Sequence, residues 1–511
     1  MQVAYRADDV RTAEEPLLAA GEPLMEHAAF ALATAVLGEL RAVRGTTRGG
    51  QVVVLVGAGN NGGDGLHAAA VLARRGVGAS VVTTTARTHE GGLAVARAAG
   101  VAVLALGDVG VDAVADLASR ADVVLDALVG IGGDGTGVRG QAGELVAALC
   151  TTWAAHHPVV VAVDVPSGLG VDDGTVRGTV LPADLTVTFG AVKPGLLLPP
   201  ADQLVGRVEL VPIGLDFGAA VPAVRRLDSA DVAALWPVPD HTAHKYTRGV
   251  LGLVAGTARY PGAGVLAAAG AVGAGVGMVR FVDERDEAGP LAATVLAAQP
   301  EVVVGRGQVQ AWAAGSGVDA RDPARRDDLE AVLAAARSGT STVLDAGALV
   351  GGIDGLGPHV VLTPHGGEAA DLLTALGRPT TRAEVEAAPL AAARAAHEAT
   401  GATVLLKGAS TVIVGPGTAY AQADASAWMA TAGAGDVLTG ILGALLAGCA
   451  GGIGDDPTLP AALAAAAVLV HGRAAHHANP HGPVSAGAVA AGVPAVVAAL
   501  LADLPGGRLN R

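Results

Sequence analysis

The chain has 511 residues, of which 51% are hydrophobic and 2% aromatic, and its formal net charge is −15. This length predicts at least two domains, and their cores must be built from Ala, Val and Leu. The acidic balance argues against a nucleic-acid-binding surface, although backbone dipoles still allow anionic small molecules to bind in a cleft.

Cysteine use and the first residues argue against secretion. Cys150 and Cys449 are the only cysteines, which permits at most one disulfide and no metal site built from cysteine alone. The first ten residues include Arg6, Asp8 and Asp9 and lack the apolar core of a signal peptide. We therefore expect a protein of the reducing cytoplasm.

The first half alternates apolar runs with segments of helical period, such as Leu66–Arg75 and Leu93–Ala99. This alternation predicts a parallel sheet with helices on both faces, which binds ligands at the carboxyl ends of its strands. The predicted strands are Val52–Val56, Ser80–Thr84, Val101–Ala105, Val123–Asp126, Val159–Asp164, Leu185–Phe189 and Val208–Val211.

The segment Gly57–Gly65, with the sequence GAGNNGGDG, lies between the first of these strands and the helix Leu66–Arg75. Glycines allow close approach of the backbone, and a helix N-terminus directs N–H groups at an anion. The pattern predicts a phosphate-binding loop. The simpler alternative is a tight turn in which Asp64 caps the helix.

Further polar residues follow other strands of this half. Asp126 precedes a glycine-rich stretch, and Asp164 and Ser167 lie in the segment DVPSGL. Lys193, one of three lysines with Lys245 and Lys407, follows the strand Leu185–Phe189. Oxygen atoms of Asn61, Asp126 and Ser167 would suit a hard cation. Each acid taken alone is equally compatible with a turn or a cap.

A turn-rich stretch near residues 215–226 predicts a domain boundary. The second half restarts at Leu227–Asp231, which resembles a helix N-terminus, and repeats the α/β alternation. Its predicted strands are Val250–Ala255, Glu301–Val304, Thr342–Asp345, His359–Leu362, Thr403–Leu406 and Thr411–Val414.

The segment Thr431–Gly440, TAGAGDVLTG, is a second glycine-rich anion site. Gly433 and Gly435 allow an anion hole at the start of the predicted helix Val437–Ala447. Asp436 is placed to take a proton from a hydroxyl that attacks a phosphoryl group. The alternative is a glycine-rich helix cap with Asp at the first helical position.

The uncharged run Val437–Gly454 would allow a membrane helix by hydropathy alone. The run is rich in Gly and Ala and directly follows Asp436. These features favour a buried helix in an α/β core, and we expect no membrane association.

Three other segments of this half carry polar residues at strand ends. Lys407–Thr411, KGAST, suits the phosphates of an adenine nucleotide, and His244–Gly249, HKYTRG, precedes a strand. Thr363–Glu368, TPHGGE, follows a strand and favours a functional His365, although a lone histidine is more often structural.

The segments GAGNNGGDG, DALVGIGG, DVPSGL, FGAVKPG and the early Met25–Ala29 resemble the NAD(P)H-hydrate epimerase family over roughly residues 1–215. The resemblance implies a Rossmann-like three-layer α/β domain over residues 1–218. It implies potassium at Asn61, Asp126 and Ser167, and contact between Asp164 and the hydrated nicotinamide ring. Asp164 is then the leading acid/base candidate and Lys193 the second. The hydrated dinucleotide is abbreviated NAD(P)HX. The other residues that the resemblance implies to contact it are Asn60, Asn61, Gly62, Gly63, Asp64, Gly130, Ile131, Gly132, Gly133, Asp134, Gly135 and Thr136.

The segments HKYTRG, YPGA, TPHGGE, KGAST and TAGAGD resemble the ADP-dependent (S)-NAD(P)H-hydrate dehydratases, a ribokinase-like α/β family, over roughly residues 225–505. The resemblance implies that magnesium enters with ADP and that Asp436 is catalytic. It implies contacts of Ala263, Gly317, His365 and Asp436 with NAD(P)HX, and of Lys407, Gly408, Ala409, Ser410, Thr411 and Gly435 with ADP or AMP. A turn expected near residue 305 matches either Gly305–Gly307 or Gly315–Gly317.

Together the resemblances predict a bifunctional enzyme that repairs hydrated NADH and NADPH, and we expect a homo-oligomer. One alternative is a ribokinase-like small-molecule kinase in the second half. Another is a non-catalytic binding module in the first half, although Asp64, Asp126, Asp164 and Lys193 favour catalysis.

Overall fold

The computed structural model describes residues 1–133, 135–153, 157–283, 289–319, 323–350 and 353–502. These residues form two compact units. One comprises Val3–Ala223, and the other comprises Val224 onward together with Met1–Gln2.

The first unit is built around a parallel sheet with the strand order β4-β3-β2-β5-β6-β7-β8. The elements of this part of the chain are β1 (Gln2–Ala4), α1 (Ala7–Ala19), α2 (Leu24–Arg44), β2 (Gln51–Val56), α3 (Asn60–Arg74), β3 (Gly78–Thr83), α4 (Glu90–Ala98), β4 (Ala102–Ala105), α5 (Leu106–Val109), α6 (Val111–Ser119), β5 (Val123–Ala127), α7 (Gly140–Thr152), β6 (Val159–Val163), β7 (Leu185–Phe189) and β8 (Arg207–Val211).

The predicted parallel α/β architecture of this unit is confirmed, because apolar strands alternate with helices that cover both faces of the sheet. The predicted start of the helix after β2 is wrong: α3 begins at Asn60, not at Leu66. Glycine disfavours helix by propensity, but packing decides here. A Cβ added at Gly62 would lie 2.4 Å from the Gly57 carbonyl oxygen, and one at Gly63 would lie 2.9 Å from Met25 Cε.

The second unit has a mostly parallel sheet that includes the order β9-β18-β17-β16-β15-β14-β13-β10-β11-β12, in which β17 is antiparallel to both neighbours. Its elements are β9 (Val224–Arg226), α8 (Ser229–Leu235), β10 (Val250–Val254), α9 (Pro261–Gly273), β11 (Met278–Phe281), α10 (Pro290–Ala298), β12 (Val303–Val304), β13 (Ala311–Ala314), α11 (Pro323–Arg337), β14 (Ser341–Leu344), β15 (Val360–Leu362), α12 (Gly366–Ala375), α13 (Arg382–Ala387), α14 (Pro389–Thr400), β16 (Thr403–Leu406), β17 (Thr411–Gly415), β18 (Thr418–Gln422), α15 (Ala434–Gly448), α16 (Ala450–Ile453), α17 (Leu459–Ala478) and α18 (Ala486–Ala502).

In this unit the sequence missed β9, β11, β13 and β18, and β9 lies within the stretch predicted to be turn-rich. The strand β13 reads AWAA, a composition of low strand propensity, yet it lies between β10 and β14 with residues of both neighbours in register. The helix start expected at Leu227–Asp231 is confirmed: Asp228 accepts hydrogen bonds from the backbone N–H groups of Ala230 and Asp231.

The uncharged run after Asp436 forms the buried helix α15, as expected. In the part of the chain that the structure describes, no helix has the length and apolar character needed to cross a bilayer. Small residues bring α15 against α9: a Cβ added at Gly440 would lie 2.0 Å from the carbonyl oxygen of Ala267, and one at Gly270 would lie 2.4 Å from that of Val437.

We predict that Gly440→Ala destabilises the second unit, because two helix backbones must separate to admit one methyl group. Overpacking of this kind costs about 1–3 kcal/mol, which lowers the thermal midpoint of a unit of this size by several degrees. Calorimetry measures the shift. Gly451→Ala is the control, since its added Cβ would meet nothing within 4 Å. Equal midpoints for both variants would contradict the close packing.

Candidate active sites

A cavity of about 800 Å³ opens at the carboxyl ends of the strands of the first unit. Its lining includes Asn60, Asn61 and Asp64 from the first turn of α3, together with Asp164 and Lys193. The loop after β5 contributes Gly130, Ile131, Gly132, Gly133 and Gly135. The predicted contact Asp134 lies outside the described residues, and Thr136 follows Gly135 on the same loop.

Asp164 and Lys193 form an ion pair in this cavity. Lys193 Nζ lies 2.5 Å from Asp164 Oδ1 and donates further to Thr188 Oγ1 at 3.1 Å and to the Phe189 carbonyl at 2.9 Å. The lysine side chain is 1% exposed, so its three N–H bonds are all used inside the protein.

The second oxygen of Asp164 is available to a ligand. Lys193, Thr188 and the Phe189 N–H all contact Oδ1, and Oδ2 has no hydrogen-bond partner among the described residues. The backbone of Asp164 has a φ of 67°, a conformation that is costly for a residue with a Cβ and that is retained mainly at functional sites. Asp164 is therefore held rigidly with one carboxylate oxygen toward the cavity.

Two more carboxyl groups line the same cavity. Burial, followed by repulsion from Asp164 and Glu14, raises the pKa of Asp64 well above its ordinary value. Burial also raises the pKa of Glu14, against the attraction of Lys193. Three carboxyl groups that share one lysine favour retention of a proton among them, so the cavity has both a proton acceptor and a proton donor.

The three residues implied for potassium gather beside the loop that follows β5. Ser167 Oγ lies 2.6 Å from Asp126 Oδ1 and 3.2 Å from the Val129 carbonyl oxygen. The Asn61 side-chain oxygen would lie 2.8 Å from a Cβ added at Gly130, which places it against the same loop.

Asp126 is 1% exposed, and burial raises its pKa against hydrogen bonds from Ser167 and the Leu128 N–H. Asp126 has no basic partner in the described part of the chain. The buried Nδ2 of Asn61 has no hydrogen bond. A buried carboxylate surrounded by neutral oxygens fits a monovalent cation, which would compensate its charge.

The second site lies at the carboxyl ends of the strands of the other unit. Asp436 is in the first turn of α15, whose N-cap Gly433 has a φ of 91°. A Cβ added at Gly435 would lie 3.5 Å from Lys407 Nζ, so the lysine ammonium lies over the helix N-terminus. A cation and unpaired helical N–H groups converge here, as an anion requires.

The ionisation of Asp436 is set by this environment. Burial, then repulsion from Asp345, raises its pKa to about 6, against the attraction of Lys407. Burial lowers the pKa of Lys407, but the carboxylates of Asp345 and Glu368 outweigh this effect, so the pKa is raised overall. A carboxylate with a pKa near 6 is a stronger base than an ordinary aspartate and is still ionised at neutral pH.

The other predicted substrate contacts lie around the same strand ends. A Cβ added at Gly317 would lie 2.4 Å from the Cβ of Ala263, so these two positions touch. A cavity of about 570 Å³ is lined by Gly317, Tyr260 and Glu368 among others. His365 caps α12 through Nδ1, and its Nε2 lies 3.4 Å from Glu368 Oε1. The histidine therefore has a structural role as a cap and is also 56% exposed beside this cavity.

The predicted nucleotide segment forms the turn that joins β16 and β17. Gly408, Ala409 and Ser410 make up the turn, and Thr411 begins β17. Of the two candidate turns, Gly315–Gly317 belongs to this site, since Ser316 bonds to Asp345, whereas Arg306 of the other candidate forms an ion pair with Asp328.

Sequence reasoning did not single out Asp345 or Glu14. Asp345 ends a predicted strand of a parallel sheet, which is the signal that identified Asp126 and Asp164. Glu14 belongs to α1, and no local pattern distinguishes it from the other acids of that helix.

We predict that Lys193→Met strongly destabilises the first unit, because it leaves Asp164 buried without its partner. Loss of one member of a buried pair costs about 3–5 kcal/mol. Arg207→Met is the matched control, since the Arg207–Glu39 pair lies at the surface and contributes less than about 1 kcal/mol. Thermal unfolding measures both, and similar small effects would show that the buried pair is not a major contributor to stability.

Two family models match the chain. The YjeF-related protein N-terminus matches residues 21–195, and the NAD(P)H-hydrate dehydratase model matches residues 251–489. A solved ADP/ATP-dependent NAD(P)H-hydrate dehydratase from Bacillus subtilis, co-crystallised with ATP and Mg²⁺, is 25% identical with a TM-score of 0.46, over 54% of this chain and 99% of that chain.

Curated relatives cover nearly the whole chain. A bifunctional NAD(P)H-hydrate repair enzyme of Mycobacterium tuberculosis is 42% identical over 463 residues, which are 88% of this chain and 89% of the relative. An NAD(P)H-hydrate epimerase of Clavibacter michiganensis is 50% identical over 224 residues, which are 43% of this chain and 94% of that protein. The chain therefore belongs to the family of bifunctional NAD(P)H-hydrate repair enzymes.

Proposed function

We propose that this protein repairs hydrated NADH and NADPH by two reactions on one chain. The first unit interconverts the R and S epimers of NAD(P)HX, and the second dehydrates the S epimer to NAD(P)H at the expense of ADP. The observation that supports this best is the presence of two separate strand-end sites, each with an acid, a lysine and a helix N-terminus.

At the first site Asp164 is the acid/base group that faces the nicotinamide ring. Epimerisation inverts the carbon that bears the hydroxyl group, and it needs a proton delivered to and removed from a positioned ring. Lys193, buried and fully bonded, orients Asp164. The N–H groups at the start of α3 and the loop Gly130–Thr136 hold the dinucleotide phosphates.

We propose that Asn61, Asp126 and Ser167 hold potassium. The ion supplies a positive charge that fixes the loop from Asp126 to Gly130 next to the dinucleotide. The support is the buried Asp126 carboxylate, whose described partners are neutral.

At the second site Asp436 removes the proton from the ring hydroxyl as that oxygen attacks the terminal phosphoryl group of ADP, and AMP leaves. Phosphate is a far better leaving group than hydroxide, so its loss, together with a proton from the neighbouring ring carbon, restores the double bond of NAD(P)H. Lys407 and the N–H groups of Gly435 and its neighbours stabilise the phosphoryl oxygens. His365, Ala263 and Gly317 lie where the hydrated ring binds.

Magnesium is expected as part of the nucleotide substrate. The carboxylates of Asp345, Glu368 and Asp436 exceed the single charge of Lys407, and this negative surplus suits a nucleotide that arrives as its magnesium complex. Cytoplasmic location and homo-oligomeric assembly remain predictions, and the first agrees with the two free cysteines.

A mixture of R- and S-NADHX, supplied with ADP, tests the assignment of both sites. The wild-type protein should convert all NADHX to NADH, and the NADH formed is measured by its absorbance. Asp164→Ala should convert the S fraction and then stop, and Asp436→Asn should bind ADP without forming NADH. Asp112→Ala, on the exposed surface of α6, should behave as wild type.

Three outcomes would contradict the proposal. Failure of wild type to form NADH from the S epimer with ADP would reject the dehydratase. Accumulation of a phosphorylated product would favour the kinase alternative. Full conversion by Asp164→Ala at the wild-type rate would reject Asp164 as the acid/base group.

Potassium should stabilise the first unit and accelerate epimer exchange. Replacement of K⁺ by tetramethylammonium at equal ionic strength should lower the thermal midpoint of this unit and the exchange rate, since a ligand that binds only the folded state stabilises it. Asp126→Asn should abolish both responses. A wild-type protein indifferent to the exchange of cations would reject the site.

A further inference from the structure

Asp345 connects the carboxyl ends of four neighbouring strands of the second unit. It directly follows β14 and is 2% exposed. It accepts hydrogen bonds from Ser316 after β13 at 2.8 Å, from Thr363 after β15 at 2.9 Å, and from Lys407 after β16 at 2.7 Å.

The backbone around Asp345 is fitted closely to it. Ala346, the next residue, has a φ of 43°, and it shares a positive φ only with Asp164 among the described non-glycine residues. A Cβ added at Gly315 would lie 1.8 Å from the Asp345 carbonyl oxygen. Strained backbone is retained where the surrounding contacts fix it, so the position of Asp345 is set by several contacts at once.

Asp345 forms the shorter of the two ion pairs that Lys407 makes. The ammonium group lies 2.7 Å from Asp345 Oδ1 and 3.8 Å from Glu368 Oε2, and it lies over Gly435. Without Asp345 the flexible lysine would keep only the more distant carboxylate, and it would be free to turn toward Asp436.

The charged and titratable groups that face Asp436 come from several elements. Asp345 repels its ionised form and Lys407 attracts it, while the single Ser316 hydroxyl proton is donated to Asp345. Glu368 of α12 acts on Lys407. His471 of α17 is buried, and desolvation lowers its pKa to about 4, so it is uncharged near neutral pH.

We propose that Asp345 is a positioning residue of the second site, which holds Lys407 over the helix N-terminus and keeps its ammonium group from pairing with Asp436. This inference rests on the proposed dehydratase function. It assigns to Asp345 no contact with substrate, since the side chain is buried and its bonds go to protein groups.

The proposal makes opposite predictions for two bond partners. Asp345→Asn removes a repelling charge and frees Lys407, so both changes lower the pKa of Asp436. Lys407→Gln keeps the charge of Asp345 and removes the cation that attracts ionised Asp436, so it raises that pKa. A purely structural role of Asp345 would lower stability or rate without moving these values in opposite directions.

The first measurement is the pH dependence of kcat for S-NADHX dehydration at saturating ADP. Wild type should lose activity as the pH falls through about 6, where Asp436 becomes protonated. Asp345→Asn should shift this limb to lower pH by about one unit, reduce kcat at neutral pH and raise KM for ADP. The residual activity of Lys407→Gln should show this limb at higher pH. Glu398→Gln, an exposed change in the same unit, should leave it in place.

The second measurement does not need turnover. Carbodiimide labels protonated carboxyl groups, and mass spectrometry of the digested protein gives the pH midpoint for Asp436 labelling. The same opposite shifts are expected without substrate. A wild-type protein that lacks dehydratase activity would reject the proposed function, while this labelling still tests the influence of Asp345.

Unchanged or upward-shifted midpoints in Asp345→Asn, by either measurement, would overturn the inference. If Asp345→Asn does not fold, Lys407→Gln decides. An unchanged or lowered labelling midpoint for Asp436 in that variant would overturn the inference, because Lys407 would then have no effect on Asp436.

Discussion

Each unit of this protein depends on an ion pair between a buried aspartate at a strand end and a lysine at another strand end. The lysine follows the adjacent strand in the first unit and the next strand but one in the second. Asp164 pairs with Lys193 in the first unit, and Asp345 pairs with Lys407 in the second. Two of the three lysines in the chain serve in these pairs. A buried pair costs desolvation of both charges, so further hydrogen bonds are needed, and Thr188 and Thr363 supply them.

The two ion pairs differ in whether the aspartate keeps a carboxylate oxygen without a hydrogen bond inside the protein. Asp164 retains one oxygen toward its cavity and is itself the proposed acid/base group. Asp345 has both oxygens bonded within the protein, and a third carboxylate, Asp436, is left to act as the base. These arrangements fit the two proposed reactions, which are proton transfer at the first site and phosphoryl transfer at the second.

Small residues allow the backbones around these sites to pack closely. The chain contains 74 glycines and few aromatic residues, and many glycines lie where two backbones touch. The contact between α9 and α15 at Gly270 and Gly440 fixes the direction of α15, and with it the position of Asp436. Packing of backbone against backbone thus sets the active site in a protein with few large side chains to do so.

The sequence determined the parallel α/β class, and it predicted two glycine-rich anion sites and most residues that the structure brings together at the candidate sites, because strand-end acids and glycine patterns are local signals. It misplaced the start of α3 and missed β13, because packing outweighed the low propensity of glycine for helix and of alanine for strand. Only the tertiary structure decided that Gly315–Gly317 belongs to the second site and that Lys193 is fully bonded. Only it identified Asp345 as the carboxylate that connects four strand ends. These are contacts between residues distant in the chain, and no local pattern records which partner a buried charge will find.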